Sequence, residues 1–308
     1  MTRCLRILSM LALLSGCSGA ELVNALVPED GYRAVRDLAY GDGERQRLDL
    51  YLPVTKAAAA AGPASPPKSG PVPVVVYFHG GGWEAGSKVD YPFVGEAFAS
   101  RGYVTAIPDY RLYPQVRYPA FLEDGAAAVA ALRRLLAAEG VAIGPVYLVG
   151  HSAGAWIAAM LTLDPHWLIR QGVAVCDTIA ATAGLAGPYD FLPLQSATLK
   201  AIFGDPAPPE SQPIAHAGGN APPMLLITGA RDDTIEPGNT QRLATRIRAR
   251  GGRVETIVYD GVGHTMLAGA LAQPLRALAP TLADVDAFLR RYPAVGGCGG
   301  QARRRHRV

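Results

Sequence analysis

The residues that could do chemistry begin with a serine placed between two glycines. The sequence Gly150-His151-Ser152-Ala153-Gly154 follows the apolar run 146–149 and precedes the helix-like run 155–163. Between a strand and a helix, Gly-x-Ser-x-Gly forms a tight turn whose strained backbone exposes the serine hydroxyl, and side chains larger than hydrogen do not fit at the glycines. We therefore predict that Ser152 is a nucleophile and that Ala153, the next residue, offers its amide to a developing oxyanion.

Two further residues could supply the acid and the base that a serine nucleophile needs. The apolar run 224–228 is followed by Asp232, and the last such run, 254–259, is followed by His264. Of the six histidines, only His264 both follows Asp232 and ends a predicted strand. Ser152, Asp232 and His264 should then share one edge of a sheet as nucleophile, acid and base. Asp233 is adjacent, and neighbouring residues leaving a strand point in different directions, so we expect only one of the two carboxylates to reach His264.

A glycine-rich segment follows an earlier predicted strand. The run 72–78 ends in His79-Gly80-Gly81-Gly82-Trp83. Consecutive glycines let backbone amides approach a ligand closely, as an oxyanion hole requires. The alternative is a phosphate-cradling loop, but no Lys-Ser/Thr follows, and the glycine spacing is not that of a dinucleotide site. We predict that the amides of Gly81, Gly82 and Ala153 form the oxyanion hole.

From about Tyr32 to Tyr292 the chain resembles α/β-hydrolases of the esterase and lipase type. The segment 79–83 resembles the His-Gly-Gly-Gly loop of hormone-sensitive-lipase-like, feruloyl-esterase-like and acetyl-esterase-like enzymes, and 109–112 and 118–120 resemble segments that they share. The chain departs from hormone-sensitive-lipase relatives at 113–115, where Tyr-Pro-Gln replaces their usual Pro-Glu, and Trp83 favours the smaller esterases. We expect Trp83, Tyr110, Arg111 and Asp124 to serve packing and hydrogen bonding rather than chemistry.

The resemblance implies a serine carboxylic-ester hydrolase, of the carboxylesterase type, that acts through an acyl-enzyme on a small-molecule ester. It implies no metal and no organic cofactor. The family pattern Gly-x-x-Asp-x-x-Val/Ile maps onto Gly229, Asp232 and Ile235, which supports Asp232 as the acid. Amidases such as arylformamidases and peptidases use the same triad, so they remain alternatives, and a non-catalytic binding module is a further one.

The elements that must position these residues alternate between strands and helices. Five short apolar runs predict buried strands, and 47–52 predicts a strand in a leading antiparallel pair. Apolar residues at helical spacing predict helices around 122–136, 243–247 and 282–289, with a capping box formed by Thr281 and Asp284 in the last. This alternation predicts an α/β fold with a mostly parallel central sheet and helices on both faces.

Two stretches interrupt that pattern. Residues 57–71 are five alanines followed by Gly, Pro and Ser, which predicts a low-complexity surface loop within the domain. Residues 191–223 are irregular and rich in proline, and they are the candidate lid insertion. No long apolar helix is evident there, so we expect a preference for short acyl chains.

One end of the chain predicts a secretion signal, and the other end predicts a basic tail. Arg3 and Arg6 precede a short apolar run and Leu14-Ser15-Gly16-Cys17, which resembles a bacterial lipobox whose cysteine is acylated. The predicted order is a signal peptide (1–16), a linker (17–31), the hydrolase domain (32–294) and a flexible basic tail (295–308). The mature protein would be anchored in the cell envelope, with Ser18 favouring the outer membrane, facing the periplasm or the surface. Cys176 and Cys298 would remain and could pair in an oxidising compartment.

Composition excludes several classes of protein. With 49% hydrophobic and 18% charged residues, the chain is neither disordered nor fibrous. Its formal net charge is +3, but six arginines lie at the extreme termini, so the body carries −3 and is not suited to bind nucleic acid. The four cysteines lack the paired spacing of a zinc module.

Overall fold

An eight-stranded sheet forms the centre of the molecule. The computed structural model describes residues 19–54 and 70–295, and the strand order is β1-β2-β4-β3-β5-β6-β7-β8. The strands are β1 (Tyr32–Ala39), β2 (Arg47–Pro53), β3 (Val72–Phe78), β4 (Val104–Pro108), β5 (Ile143–His151), β6 (Ile179–Leu185), β7 (Met224–Gly229) and β8 (Val254–Tyr259). Strands β3 to β8 are parallel, whereas β2 is antiparallel to both β1 and β4. The mostly parallel sheet and the leading antiparallel pair are confirmed.

Strand β6 has no counterpart in the sequence prediction. It lies between β5 and β7, and every one of its residues is buried. Its sequence, Ile-Ala-Ala-Thr-Ala-Gly-Leu, contains few of the β-branched residues that mark the other strands. Small side chains suit this strand because the helix 153–163 packs directly over it. Tertiary packing, rather than intrinsic strand propensity, therefore explains β6.

Helices cover both faces of the sheet, as predicted. They are α1 (Gly19–Asn24), α2 (Pro92–Ala99), α3 (Ala120–Ala138), α4 (Ala153–Leu163), α5 (His166–Ile169), α6 (Val175–Thr178), α7 (Ala197–Phe203), α8 (Gly238–Ala249), α9 (His264–Gly269) and α10 (Thr281–Arg290). Helices α3 and α4 bury their apolar residues against one face, and α2, α9 and α10 bury theirs against the other. The helical faces predicted around 122–136, 243–247 and 282–289 are all buried.

The predicted capping box of α10 is wrong. Pro280 is the N-cap residue and makes no side-chain cap, so Thr281 is already the first helical residue. The carboxylate of Asp284 instead accepts a hydrogen bond of 2.7 Å from the Tyr259 hydroxyl. The contact with the end of β8 has replaced the local cap.

Part of the segment predicted as a linker is helical and bound to the domain. The Asn24 side chain at the end of α1 donates to the Asp90 carbonyl (3.1 Å) and accepts from the Phe93 amide (3.2 Å).

The predicted signal peptide, Cys17, most of the 57–71 loop and nearly all of the tail lie outside the described residues. Cys176 is disulfide-bonded, and the other three cysteines also lie outside the described residues. Over 19–54 and 70–295, no helix has the length and apolarity needed to cross a membrane.

Candidate active site

Ser152 occupies a sharp turn between β5 and α4. Its φ is 55° and its ψ is −123°, a strained conformation for a residue with a side chain. A β-carbon on Gly150 would lie 2.2 Å from the Gly154 carbonyl oxygen, and one on Gly154 would lie 2.0 Å from the Phe78 carbonyl oxygen. Both glycines are therefore required by close backbone packing, and the turn presents Ser152 at the carboxyl edge of the sheet.

Asp232 and His264 are brought together by the loops that follow β7 and β8. His264 Nδ1 lies 2.8 Å from Asp232 Oδ2, and the Asp232 side chain has 0% solvent exposure. Asp232 Oδ1 accepts from the amides of Thr234 (3.0 Å) and Ile235 (2.8 Å), which orients the carboxylate. With Nδ1–H donating to Asp232, Nε2 of His264 is left to accept a proton.

The neighbouring carboxylate has a different environment. Asp233 is exposed, and within the described residues its Oδ1 accepts only from the Thr234 hydroxyl, at 3.3 Å. The chain direction after β7 therefore separates the two acids in the way expected for residues that leave a strand in succession.

Ser152 and His264 line the same cavity, which has a volume of about 860 Å³. The Ser152 hydroxyl has no hydrogen-bond partner within the part of the chain that the structure describes. Hydrogen bonds between nucleophile and base are often formed only when substrate is bound, so this geometry is compatible with a resting site.

The glycine-rich loop lies directly against the nucleophile. A β-carbon on Gly80 would be 3.2 Å from Ser152 Cβ, and one on Gly81 would be 2.1 Å from the Ala85 carbonyl oxygen. Gly81 and Gly82 have positive φ values of 121° and 62°. The amides of Gly81, Gly82 and Ala153 meet no hydrogen-bond acceptor within residues 19–54 and 70–295. Three free N–H groups thus lie beside Ser152, and they can donate to an oxyanion.

A buried histidine supports this loop from behind. His79 Nδ1 lies 2.7 Å from the Gly80 carbonyl oxygen, its Nε2 is 3.5 Å from Asp109 Oδ1, and its ring stacks on Tyr110 at 4.4 Å. Burial disfavours the charged form of Asp109, but the adjacent His79 imidazole, a hydrogen bond from the Lys88 amide and the nearby charge of Arg45 hold the pKa of that carboxyl below its usual range. Asp109 and Tyr110, which contact His79, belong to the segment 109–112 that resembles a segment of related esterases.

The turn between β1 and β2 also reaches the loop. Arg45 donates from Nε to the Tyr110 carbonyl (2.8 Å) and from Nη2 to the Gly86 carbonyl (2.7 Å) and to Asp109 (3.3 Å). Gln46 donates to Asp124 Oδ1 at 2.7 Å. No sequence pattern pointed to this turn as part of the site, because its contacts join residues 41 to 78 positions apart.

The four residues expected to be structural have structural contacts. Arg111 donates to both oxygens of Asp124, with the shortest contact at 2.7 Å from Nη2. The Tyr110 hydroxyl donates to the His79 carbonyl at 2.8 Å. Trp83 packs edge-on against Trp156, with ring centroids 5.4 Å apart, and it also faces the cavity.

A second histidine, His151, contacts the candidate base. Its Nε2 lies 3.0 Å from the His264 carbonyl oxygen, and the two rings are 4.7 Å apart. Burial, and then the nearby His264, lower the pKa of His151 to about 4. His151 is therefore neutral at pH 7, and its Nε2–H can donate to the backbone that carries His264. Sequence reasoning had assigned it only to the turn.

The cavity walls differ in character. Trp83, Phe191 and Leu199 form an apolar wall, and the last two come from the predicted lid insertion. On another side, Arg242 pairs with Asp190 (2.6 Å) and Glu236 (2.9 Å) at the rim. The described residues include no group of three His, Cys, Asp or Glu side chains arranged to hold a metal ion.

Comparison with solved structures identifies the fold. Esterase B from Lactobacillus rhamnosis, solved with a tributyrin phosphonate inhibitor, superposes with a TM-score of 0.72, covering 94% of each chain at 19% identity. Esterase 2 from Thermogutta terrifontis, solved with propionate bound, gives a TM-score of 0.67 over 89% of this chain and 98% of that one, at 23% identity. Together with the sheet topology, these likenesses confirm the α/β-hydrolase fold.

Curated relatives carry esterase and formamidase names. Isoprenylcysteine alpha-carbonyl methylesterase from Arabidopsis thaliana is 29% identical over 78% of this chain and 58% of its own length. Esterase LipC from Mycobacterium tuberculosis is 28% identical over 78% of this chain and 62% of its own. Kynurenine formamidase from Danio rerio is 30% identical over 60% of this chain and 54% of its own. This chain thus spans between half and two thirds of the length of these relatives.

The BD-FAE family matches residues 64–247, more than half of the chain, and the protein belongs to that family.

Proposed function

We propose that the protein is a serine carboxylic-ester hydrolase whose triad is Ser152, His264 and Asp232. The observation that carries the proposal is the 2.8 Å contact between His264 and a fully buried Asp232, in a cavity that Ser152 also lines. A buried carboxylate that orients an imidazole in the same cavity as a serine hydroxyl is the arrangement that activates a serine. The esterase names of the relatives support the same reaction class.

The reaction proceeds through an acyl-enzyme. His264 Nε2 takes the proton of Ser152 as its oxygen attacks the ester carbonyl carbon, while Asp232 stabilises the imidazolium. The oxyanion of the tetrahedral intermediate accepts hydrogen bonds from Gly81, Gly82 and Ala153. The carbon–oxygen bond to the alcohol then breaks, and His264 protonates the leaving oxygen. Water, deprotonated by His264, attacks the acyl carbon. The bond from that carbon to Ser152 Oγ then breaks, and His264 returns its proton to Ser152 as the acid leaves.

Labelling and turnover together test this proposal. A fluorophosphonate probe should label the wild-type protein and not Ser152→Ala, because the probe reacts with an activated serine hydroxyl. The Ser152→Ala variant should also lose hydrolysis of p-nitrophenyl acetate while it keeps the wild-type melting temperature. A folded wild-type protein that neither labels nor turns over esters would contradict the proposal and favour a binding module.

We further propose a preference for short acyl chains. The apolar wall of Trp83, Phe191 and Leu199 closes one side of the cavity, and α7, the helix of the predicted insertion, is only seven residues long. Turnover of p-nitrophenyl esters should therefore fall as the acyl chain lengthens from acetate or butyrate to laurate. Faster hydrolysis of long-chain emulsions would overturn the preference.

Amide hydrolysis is a second candidate because curated kynurenine formamidases are among the relatives. The same triad and oxyanion hole serve both ester and amide substrates. Comparison of kcat/KM for an ester, an anilide and a formamide of similar size decides between them. We expect the ester to be preferred.

For the location of the enzyme, we propose acylation at Cys17. The sequence support is the basic start, the short apolar run and Leu14-Ser15-Gly16-Cys17. The acyl chains would hold the enzyme on a membrane surface of the cell envelope without spanning the bilayer.

A further inference from the structure

Three exposed apolar side chains lie on α1, just after it, and on a short element that it contacts. Leu22 and Leu26 are 52% and 59% exposed, and Val89, in the short 3₁₀-helix 88–90 that α1 contacts, is 61% exposed. We call these three residues the α1 patch. Large apolar side chains exposed singly need no explanation, but a cluster of them marks an interaction surface.

The patch is held rigidly on the domain. Asn24 links α1 to the backbone of Asp90 and Phe93, and Val27, just after α1, is buried in the core cluster beneath α2. The exposed side chains therefore belong to a defined surface rather than to a loose terminal segment.

A second cleft runs from α1 to the candidate active site. Its volume is about 540 Å³, and it is lined on one end by Ala20 and Val23 of α1 and by Phe93. Its other end shares Tyr91, His151 and Thr265 with the cavity that holds Ser152. The two spaces thus meet beside His264.

The position of His264 decides which part of an ester would enter this cleft. His264 must protonate the leaving oxygen, so the alcohol side of the substrate lies near His264, and the acyl carbonyl lies at the glycine-rich loop. The cleft opens next to Thr265 and His151, on the His264 side. The apolar lining of the cleft therefore suits a hydrocarbon chain on the alcohol oxygen of the ester. The acyl group would instead lie against the apolar wall formed by Trp83, Phe191 and Leu199.

The sequence that precedes α1 indicates what covers the patch. Cys17, the proposed acylation site, lies two residues before Gly19, the first residue of α1. Two residues span at most about 7 Å, so acyl chains on Cys17 would bring a lipid surface to this side of the molecule. We propose that the α1 patch rests on a lipid surface, and that esters held in that surface reach Ser152 through the cleft. The proposal rests on the proposed esterase function and on acylation at Cys17.

The orientation can be tested without any enzyme activity. The three native tryptophans are buried, so a tryptophan introduced at an exposed position reports its own surroundings. In the acylated full-length protein on phosphatidylcholine vesicles, brominated lipid should quench the fluorescence added by Leu26→Trp. It should not quench that added by Ile169→Trp, which replaces an equally exposed residue (60%) on the opposite face of the sheet. Equal quenching, or none at Leu26→Trp, would overturn the proposal. The proposal would also be overturned if quenching of Leu26→Trp required anionic lipid and disappeared in high salt. That result would mean that the arginine-rich tail, and not the α1 patch, binds the vesicle.

Turnover tests the route to Ser152. The measured quantity is the ratio of turnover of dodecyl butyrate in vesicles to that of dissolved ethyl butyrate. Replacing all three patch residues with serine should lower this ratio about 10-fold, whereas Ile169→Ser should not change it. Ala20→Trp, which narrows the cleft, should lower it as well, and Ala25→Trp, on the exposed side of the same segment, is its matched control. If the patch and cleft variants leave the ratio unchanged, the route is wrong. If the wild type does not hydrolyse ethyl butyrate at all, the esterase function itself is wrong.

Discussion

At the scale of single residues, the pair Asp232 and Asp233 offers the sharpest test of the proposed chemistry. We expect Asp232→Asn to lower kcat by roughly 10²- to 10⁴-fold, because an amide at this position no longer stabilises the imidazolium or the required tautomer of His264. Asp233→Asn should lower kcat by less than about 10-fold, since that carboxylate is exposed and accepts a hydrogen bond from the Thr234 hydroxyl rather than from His264. The measurement is kcat for p-nitrophenyl butyrate.

Thermal melting of both variants is the control, because a loss of folding would imitate a loss of chemistry. Equal losses of activity would indicate a shared structural role for the two acids. A larger loss for Asp233→Asn would transfer the role of the acid to Asp233.

A second prediction at this scale concerns His151 and the pH dependence of stability. Burial lowers the pKa of His151 to about 4, whereas the value in an unfolded chain is 6.5. Between these values the unfolded chain binds a proton that the folded protein does not, so the free energy of unfolding should fall as pH falls from 6.5 towards 4. The full effect is roughly 3 kcal/mol.

Urea unfolding at pH 7 and pH 4.5 measures this effect. His151→Gln removes the titrating group and keeps a side-chain N–H that can donate to His264, so its stability should depend less on pH than that of the wild type. Identical pH dependence in the two proteins would contradict the burial of a neutral His151.

At the scale of elements, the turn that presents Ser152 is set by the backbone packing of β5 and α4 against β3. Gly154→Ala would place a β-carbon 2.0 Å from the Phe78 carbonyl oxygen, so we expect a loss of at least about 2 kcal/mol of stability together with most of the activity. Gly31→Ala is the control, since a β-carbon there meets nothing within 4 Å. The free energy of unfolding in urea measures both. A Gly154→Ala variant as stable as Gly31→Ala would show that this packing is not required.

The sequence predicted most of the elements that position the site, for identifiable reasons. Strands buried on both faces leave continuous β-branched runs, and β3 was predicted with the bounds that it has in the structure. Strand β6 was missed because small residues under α4 carry no such pattern. The pairing of His264 with Asp232 was predicted from chain order. The contacts of His151 with His264 and of Arg45 with Gly86 were not, because they join residues far apart in the sequence that no local pattern relates.

At the scale of the whole molecule, the location of the enzyme gives a separate prediction. Cys17→Ala should prevent processing as a lipoprotein or release a soluble form, because the acyl chains supply the membrane affinity. Fractionation into membrane and soluble parts, followed by immunoblotting, measures this. Identical partitioning of wild type and Cys17→Ala would show that Cys17 is not the anchor.

The contacts of Arg45 have a consequence for how far the chain can be shortened. The family match begins at residue 64, which leaves out β1, β2 and the turn that carries Arg45. A protein that starts there would keep Ser152 and Asp232 but lose the donor to the Gly86 and Tyr110 carbonyls. It would also turn β4 into an open sheet edge, because β2 is its outer neighbour, and unpaired edges favour aggregation. We therefore expect a fragment of this chain to stay soluble only if it keeps the first hairpin, which begins at Tyr32.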